Sequence, residues 1–265
     1  MFFLTRGNVK SIRGEFDRGS KGKIGIDFSF AFQPIVDAKR HEISSFEALI
    51  RGPHGEPAAS VLKQVVNEDI SLFDDLCRQK IIDLARRLNL SKNININLFT
   101  TALYQVDLNI TGTFKASVKS GFPVERIIFE VTESENLTDH SVLLKNLKLL
   151  RDFGFKTAID DFGMGHSGLK LLMEYQPNYI KLDRNLISGI HKDRVKQIVF
   201  SGVQHMCEKL EIDIVAEGVE NDEEYIWLEK TGVVLFQGFY FARPQFEALP
   251  GVTPQWFSLG GLLGA

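Results

Sequence analysis

The sequence predicts an α/β fold, a TIM-like (β/α)8 barrel whose first strand runs antiparallel to the second. Three observations carry that expectation: eight short β-rich apolar runs recur along the chain, amphipathic helical segments separate most of them, and polar residues recur at the ends of the runs.

The runs, in order, are FSFAFQPIV from Phe28, EISSFEALI from Glu42, NININL from Asn93, RIIFEV from Arg126, KTAID from Lys156, NYIKL from Asn178, IDIVA from Ile212 and VVLFQGF from Val233. Each is five to nine residues long and carries apolar, β-branched or aromatic side chains, which suit a pleated, largely buried strand. Between them, SLFDDLCRQKIIDLARRL, SVLLKNLKLLRDF and DRVKQIVFSGVQHMCEKL repeat their apolar residues at helical spacing. Only DAKRH separates the first two runs. Five residues are too few for a crossover helix and suit a hairpin, so the first strand is expected to oppose the second.

Domain organisation follows from where this pattern starts and stops. Residues 1–26 mix Arg6, Arg13, Arg18, Lys21 and Lys23 with glycines and little periodicity, and read as an N-terminal arm or extension. Residues 27–250 carry the barrel, and 251–265 read as a C-terminal tail. With 44% apolar residues, 25% charged and a net charge of −3, the chain has ample material for a core and lacks the basic excess of a general DNA or RNA binder. No run approaches the ~20 apolar residues of a membrane span, and the opening MFFLTRGNVK is too short for a secretory signal, so a cytoplasmic protein is expected. Cys77 and Cys207, the only cysteines, fall within helical patterns and read as buried free thiols.

The stretch AIDDFGMGHSG, from Ala158 to Gly168, sets two aspartates side by side ahead of a glycine-rich loop. In isolation such a sequence reads as a surface turn. The barrel changes that reading, because enzymes of this architecture place their chemistry at the C-terminal ends of the strands. Glu47 falls late in the second run, Asn97 near the end of the third and Glu130 near the end of the fourth. Asp160 and Asp161 follow the fifth, Lys181 and Asp183 the sixth, Glu217 and Glu220 the seventh, and Gln237 the eighth. So many carboxylates in one bowl would repel each other and take up protons unless cations neutralise them. Oxygen donors without Cys or His suit Mg2+ or Mn2+ better than zinc. Adjacent aspartates can serve two ions roughly 3.5–4 Å apart, which activate a water and clamp a phosphoryl group. Lys181 would then orient the hydroxide and stabilise charge developing on phosphate, and Arg51 could grip phosphate oxygens in bidentate fashion.

The motifs together resemble a family. QPIVD from Gln33, FEALIRG with Glu47 and Arg51, NINL with Asn97, FEVTE with Glu130 and Glu133, IDDFGMGHSG, IKLDR with Lys181 and Asp183, VAEGVE with Glu217 and Glu220, and FQGFYFARP with Gln237 resemble, in order and separation, the EAL-domain phosphodiesterases. That family hydrolyses cyclic di-GMP to linear pGpG. The resemblance implies that Glu47, Asn97, Glu130 and Asp160 bind one metal ion, that Asp160, Asp161 and Glu217 bind a second, and that Lys181 contacts the catalytic water. It implies that Glu220 and Gln237 support the metal-water shell, with Gln237 also at the substrate, and that Gln33, Leu49, Arg51 and Asp183 line the dinucleotide groove. Glu133 matches a position that anchors the loop after the paired aspartates. A homodimer with its interface near that loop and the following LKLLMEY is also implied, as is inhibition by calcium.

Three departures stand out. His166 lies where the family more often has an aromatic residue, Gly168 where it has Ser, and Gly52-Pro53 where many relatives have an aromatic residue after the arginine. The RGPHGEPAASVL segment resembles a branch often attached to light-sensing modules. The GGDEF motif of a synthase does not occur in this sequence. A catalytically silent module that binds cyclic di-GMP or a protein partner is the alternative to an active phosphodiesterase.

Overall fold

The computed structural model describes residues 24–99, 110–132, 140–163, 168–252 and Trp256. The arm expected over residues 1–26 falls outside the described residues up to residue 23. Glu133, His166 and, apart from 251, 252 and Trp256, the expected tail also lie outside them.

The eight expected strands form. They are β1 (Ser29–Asp37), β2 (Glu42–Arg51), β3 (Asn93–Asn97), β4 (Ile127–Thr132), β5 (Lys156–Phe162), β6 (Tyr179–Leu182), β7 (Asp213–Ala216) and β8 (Leu235–Phe236). Strands β2 to β8 pair in parallel in sequence order, and β1 closes the ring by pairing antiparallel to both β2 and β8. A short strand β9 (Gln245–Phe246) pairs antiparallel with Ala31 and Phe32, nearer the start of β1 than the residues that meet β8. The DAKRH hairpin therefore does what its length requires: it reverses the chain within a turn, and the barrel is completed by a strand of opposite sense.

Helices cover the outside. The described ones are α1 (Ala58–Leu62), α2 (Ile70–Arg87), α3 (Ile110–Ser120), α4 (His140–Asp152), α5 (Gly168–Glu174), α6 (Arg184–Ile187), α7 (Arg194–Leu210) and α8 (Asp222–Lys230). Their starts are set by local chemistry. Asp193 accepts hydrogen bonds from the Val195 and Lys196 amides at 2.9 and 3.2 Å to cap α7, and Asn221 accepts one from the Glu224 amide at 2.9 Å to cap α8. The first turn of α8 also carries Asp222, Glu223 and Glu224, which suit the positive end of a helix. Inward-facing apolar residues of α2 and α7, such as Phe73, Ile81 and Phe200, pack on the outer faces of the strands. Cys77 and Cys207 sit on those same helices as buried free thiols, and burial raises the pKa of both. Trp256 is fully buried, with its ring beside those of Phe241 and His41. Among the described residues no helix is long and apolar enough to cross a membrane.

Strand register brings the polar residues together. Gln33 lies opposite Glu47, Glu47 opposite Asn95, Asn97 opposite Glu130, and Thr132 opposite Asp160, so polar side chains from separate strands are stacked into neighbouring levels at one end of the barrel.

Candidate active site

The paired aspartates sit within β5 rather than after it, at an irregularity in the β5–β6 pairing between Ile159 and Phe162. Adjacent residues of a regular strand point to opposite faces, so a flat β5 would send only one of the two carboxylates inward. Here Asp161 has a left-handed backbone, with φ of 52°. Aspartate tolerates that conformation better than most residues, and the bulge breaks the alternation. As a result, carboxylate oxygens of Asp160, Asp161 and Glu217 all lie within 4.8 Å of one another.

Beside this trio stands Lys181, on β6 and fully buried. Its Nζ lies 2.6 Å from Glu217, 2.9 Å from Glu130, 3.2 Å from Asp160 and 3.5 Å from Glu47. Burial alone would strip its proton, yet Asp160, Glu130, Glu217 and Glu47 outweigh burial and hold the ammonium well above its ordinary range. One cation facing four carboxylates leaves an excess of negative charge, and the carboxyls show it. Burial pushes Glu130 well up, Lys181 opposing it while Glu47, Asp160 and Glu217 add to the rise. Glu217 is pushed up to about 8 by burial, against Lys181 and with help from Asp160 and Glu47. Asp161 is raised by burial and by its neighbours Asp160 and Asp183. Glu47 is the exception: burial opposes its ionisation, but Lys181 and amide donors from Gln237 and Asn97 prevail, and its carboxyl is held below the ordinary value.

Amides complete the arrangement. Asn97 Nδ2 donates to Glu47 Oε1 at 2.9 Å, and Gln237 Nε2 donates to Glu47 Oε2 at 2.7 Å and to Gln33 Oε1 at 3.3 Å. Gln33 in turn donates to the Ala242 carbonyl at 3.1 Å. A cavity of about 270 Å3 opens above them, with Gln33, Glu47, Asp160, Lys181, Glu217, Glu220 and Gln237 in its walls.

Of the residues singled out in the sequence, Asn97, Glu130 and Asp161 do not line this cavity themselves but adjoin its walls through Glu47, Lys181 and Asp160, and Leu49, Arg51 and Asp183 do not line it either. Leu49 pairs with Ala31 along the β1–β2 hairpin, Arg51 donates to the Ile50 carbonyl at 2.7 Å, and Asp183 caps α6 by accepting from the Asn185 amide at 2.8 Å. Glu220 is half exposed and accepts from Arg184 at 2.8 Å. Three residues escaped the sequence reading: Asn95, Arg184 and Phe239. Arg184 and Phe239 stand in the cavity wall. Asn95 could have been found, because it precedes Asn97 by two positions and so shares its face of the strand.

A closed (β/α)8 barrel with one antiparallel strand, and with buried carboxylates and a lysine gathered at the C-terminal strand ends, defines the class to which this chain belongs. A family model for the EAL domain matches residues 21–244, and the chain is a member of that family. It is 42% identical to a standalone EAL protein from Vibrio cholerae O395, solved in a c-di-GMP-bound form, with a TM-score of 0.86 over 89% of this chain and 99% of that one. It is 37% identical to Klebsiella pneumoniae BlrP1, solved as a manganese/cy-diGMP complex, with a TM-score of 0.80 over 88% of this chain and 60% of that one. Over 229 residues it is 33% identical to the blue light- and temperature-regulated antirepressor BluF of Escherichia coli K12, a match covering 86% of this chain and 57% of BluF. The cyclic di-GMP phosphodiesterase RocR of Pseudomonas aeruginosa is 31% identical, over 83% of this chain and 58% of RocR. The chain thus spans about half the length of the curated relatives it matches.

Proposed function

We propose that this chain is a metal-dependent phosphodiesterase that hydrolyses cyclic di-GMP to linear pGpG. The observation that carries the reading is the convergence of Asp160, Asp161 and Glu217 beside Glu47, Glu130 and Lys181. Its support from likeness is that RocR is named a cyclic di-GMP phosphodiesterase and that the Vibrio and Klebsiella structures hold the dinucleotide.

The residues present fit a pair of divalent cations. The donors are hard oxygens, the negative charge exceeds what one lysine balances, and the buried Gln237 Oε1 has no hydrogen-bond partner. Glu47, Asn97, Glu130 and Asp160 would hold one ion, and Asp160, Asp161 and Glu217 the other, with Mg2+ or Mn2+ the expected metals. When bound, such ions supply an acidified water and a clamp on the scissile phosphate.

The protein's own groups do the rest. Lys181 keeps its proton and directs an N–H at the attacking oxygen and at the charge growing on phosphate. Glu220 and Gln237 orient water at the rim. Gln33 holds the ligand's edge, with Leu49, Arg51 and Asp183 placed along the groove beyond the cavity. Glu133 anchors the loop that follows the paired aspartates. That loop and α5 would form a homodimer contact, consistent with the exposed side chains of Leu169 and Met173 on α5.

The test is direct: purified protein is incubated with cyclic di-GMP and Mg2+ or Mn2+, and the nucleotides are separated. Formation of pGpG that stops on thorough chelation is expected, and calcium should inhibit, because its larger and looser coordination misplaces the attacking water. Hydrolysis indifferent to chelation would overturn the two-metal reading. The similarity to the antirepressor BluF favours a second reading, a silent module that binds cyclic di-GMP or a protein without cleaving the nucleotide. Tight binding with no pGpG at any metal concentration would select it.

A further inference from the structure

We infer that Asn95 is a positioning residue that orients Glu130 for metal binding, an inference that rests on the two-metal reading. Asn95 lies on β3 two residues before Asn97, is 3% exposed, and donates from Nδ2 to Glu130 Oε1 at 2.8 Å. Glu130 is itself 1% exposed, and its other oxygen, Oε2, faces Lys181 Nζ at 2.9 Å. The two oxygens of this carboxylate are therefore assigned different tasks. Oε1 is held from below by a neutral amide, and Oε2 is turned toward the cluster of Glu47, Asp160 and Glu217 that Lys181 also touches.

The register explains why an amide sits there. Asn95 is level with Glu47 across the β2–β3 pairing, and Asn97 is level with Glu130 across the β3–β4 pairing. The β3 side chains at 95 and 97 thus form a ladder: the lower amide serves Glu130 and the upper one serves Glu47. Ile94 and Ile96, which alternate with them on the other face, are fully buried in the apolar layer. A carboxylate at a metal site without such a partner can rotate about its last torsion and offer either oxygen, or both, to an ion. Partners that fix ligand orientation commonly change metal affinity by 10- to 100-fold when removed. Asn95 lies outside the cavity wall and acts through its bond to Glu130.

The test is a double-substitution cycle read by Mn2+ binding, followed by electron paramagnetic resonance of the free ion, with thermal unfolding as the control for folding. Asn95→Ala should weaken Mn2+ binding about tenfold or more. Asn95→Leu, which fills the same space without a donor, should do the same, so the result does not hang on a cavity. In a Glu130→Gln background, Asn95→Ala should have little further effect, because its route to the ion is already cut. Asn93→Ala on the same strand face should leave binding unchanged. Wild-type protein that binds Mn2+ tightly, with Asn95→Ala and Asn95→Leu folded and unaltered in affinity, would overturn the assignment. So would full additivity with Glu130→Gln, the pattern of a merely structural residue. Wild-type protein that binds no Mn2+ would overturn the two-metal reading itself, and the inference with it.

Discussion

Gly238→Ala is a small change with a large expected effect. A Cβ built on Gly238 would lie 2.0 Å from the Val219 carbonyl oxygen, 2.5 Å from its nitrogen and 2.7 Å from its carbonyl carbon, all backbone atoms that cannot swing aside. Real Cβ contacts are essentially never shorter than 3.0 Å, so the two segments must separate by about 1 Å. That separation breaks the hydrogen bonds that the Val219 N–H donates to the Gln237 carbonyl and the Tyr240 N–H donates to the Val219 carbonyl, each 3.1 Å long. Two hydrogen bonds at about 1 kcal/mol each, plus 1–3 kcal/mol for overpacking, give a loss of roughly 3–5 kcal/mol. In a chain of this size that corresponds to a fall in Tm of about 10 °C. The separation also moves Gln237 on one side and the loop bearing Glu217 and Glu220 on the other, so hydrolysis should fall further than stability explains at a temperature where the protein remains folded. Thermal and urea unfolding, run beside the pGpG assay, measure both. A Gly238→Ala protein within 2 °C of the wild type and fully active would refute the close approach from which the loss was calculated.

Three other outcomes are expected. Lys181→Ala should cut turnover sharply while changing cyclic di-GMP affinity modestly, and a large affinity loss with unchanged turnover would contradict its role at the attacking oxygen. Glu217, pushed up to about 8, contributes stability that is complete below its ordinary value of 4.5 and is lost as pH rises through about 8. In chelator, this group should therefore erode stability over that window, whereas Mn2+ binding should tighten over it and release protons near neutrality. Calorimetry in buffers of different ionisation enthalpy reads the proton count, and none released would sink the assignment. Glu133→Ala should reduce metal affinity and turnover without loss of the fold, tested with sedimentation at assay concentration. Unchanged metal dependence would remove its anchoring role, and a strictly monomeric, fully active enzyme would remove the dimer from the mechanism.

The strand order was legible because buried strands need continuous apolar runs, and all eight such runs became strands. The hairpin after β1 was legible from length alone, since five residues cannot make a crossover. The site was legible only as a set of strand-end residues. That Asp160 and Asp161 can face the same way depends on a bulge and a left-handed aspartate, which residue types do not announce. The place of Lys181 among four carboxylates depends on register between strands far apart in sequence. Spacing alone puts Asn95 on the face of Asn97, but its partner, Glu130, 35 positions away, is fixed by the register between strands. Arg184 and Gly218 show the same limit: the Arg184 guanidinium donates to the Gly218 carbonyl, a contact between the start of α6 and the loop after β7 whose proximity only the closed barrel creates.

The reversed first strand also decides how the barrel is wired to whatever is joined ahead of it. In an all-parallel barrel the chain enters at the rim opposite the chemistry. Here Ser29 lies opposite Arg51, at the outgoing end of β2, so the chain enters at the same rim as the mouth. Nine residues at ~3.3 Å each separate that rim from the other, a span of about 30 Å. A tug on the backbone ahead of Ser29 is therefore delivered beside the working end of the barrel. Gln33 stands four residues inside that entry point and is bonded to Gln237. Such a pull reaches the cavity wall through one short stretch of a single strand, without crossing the depth of the barrel.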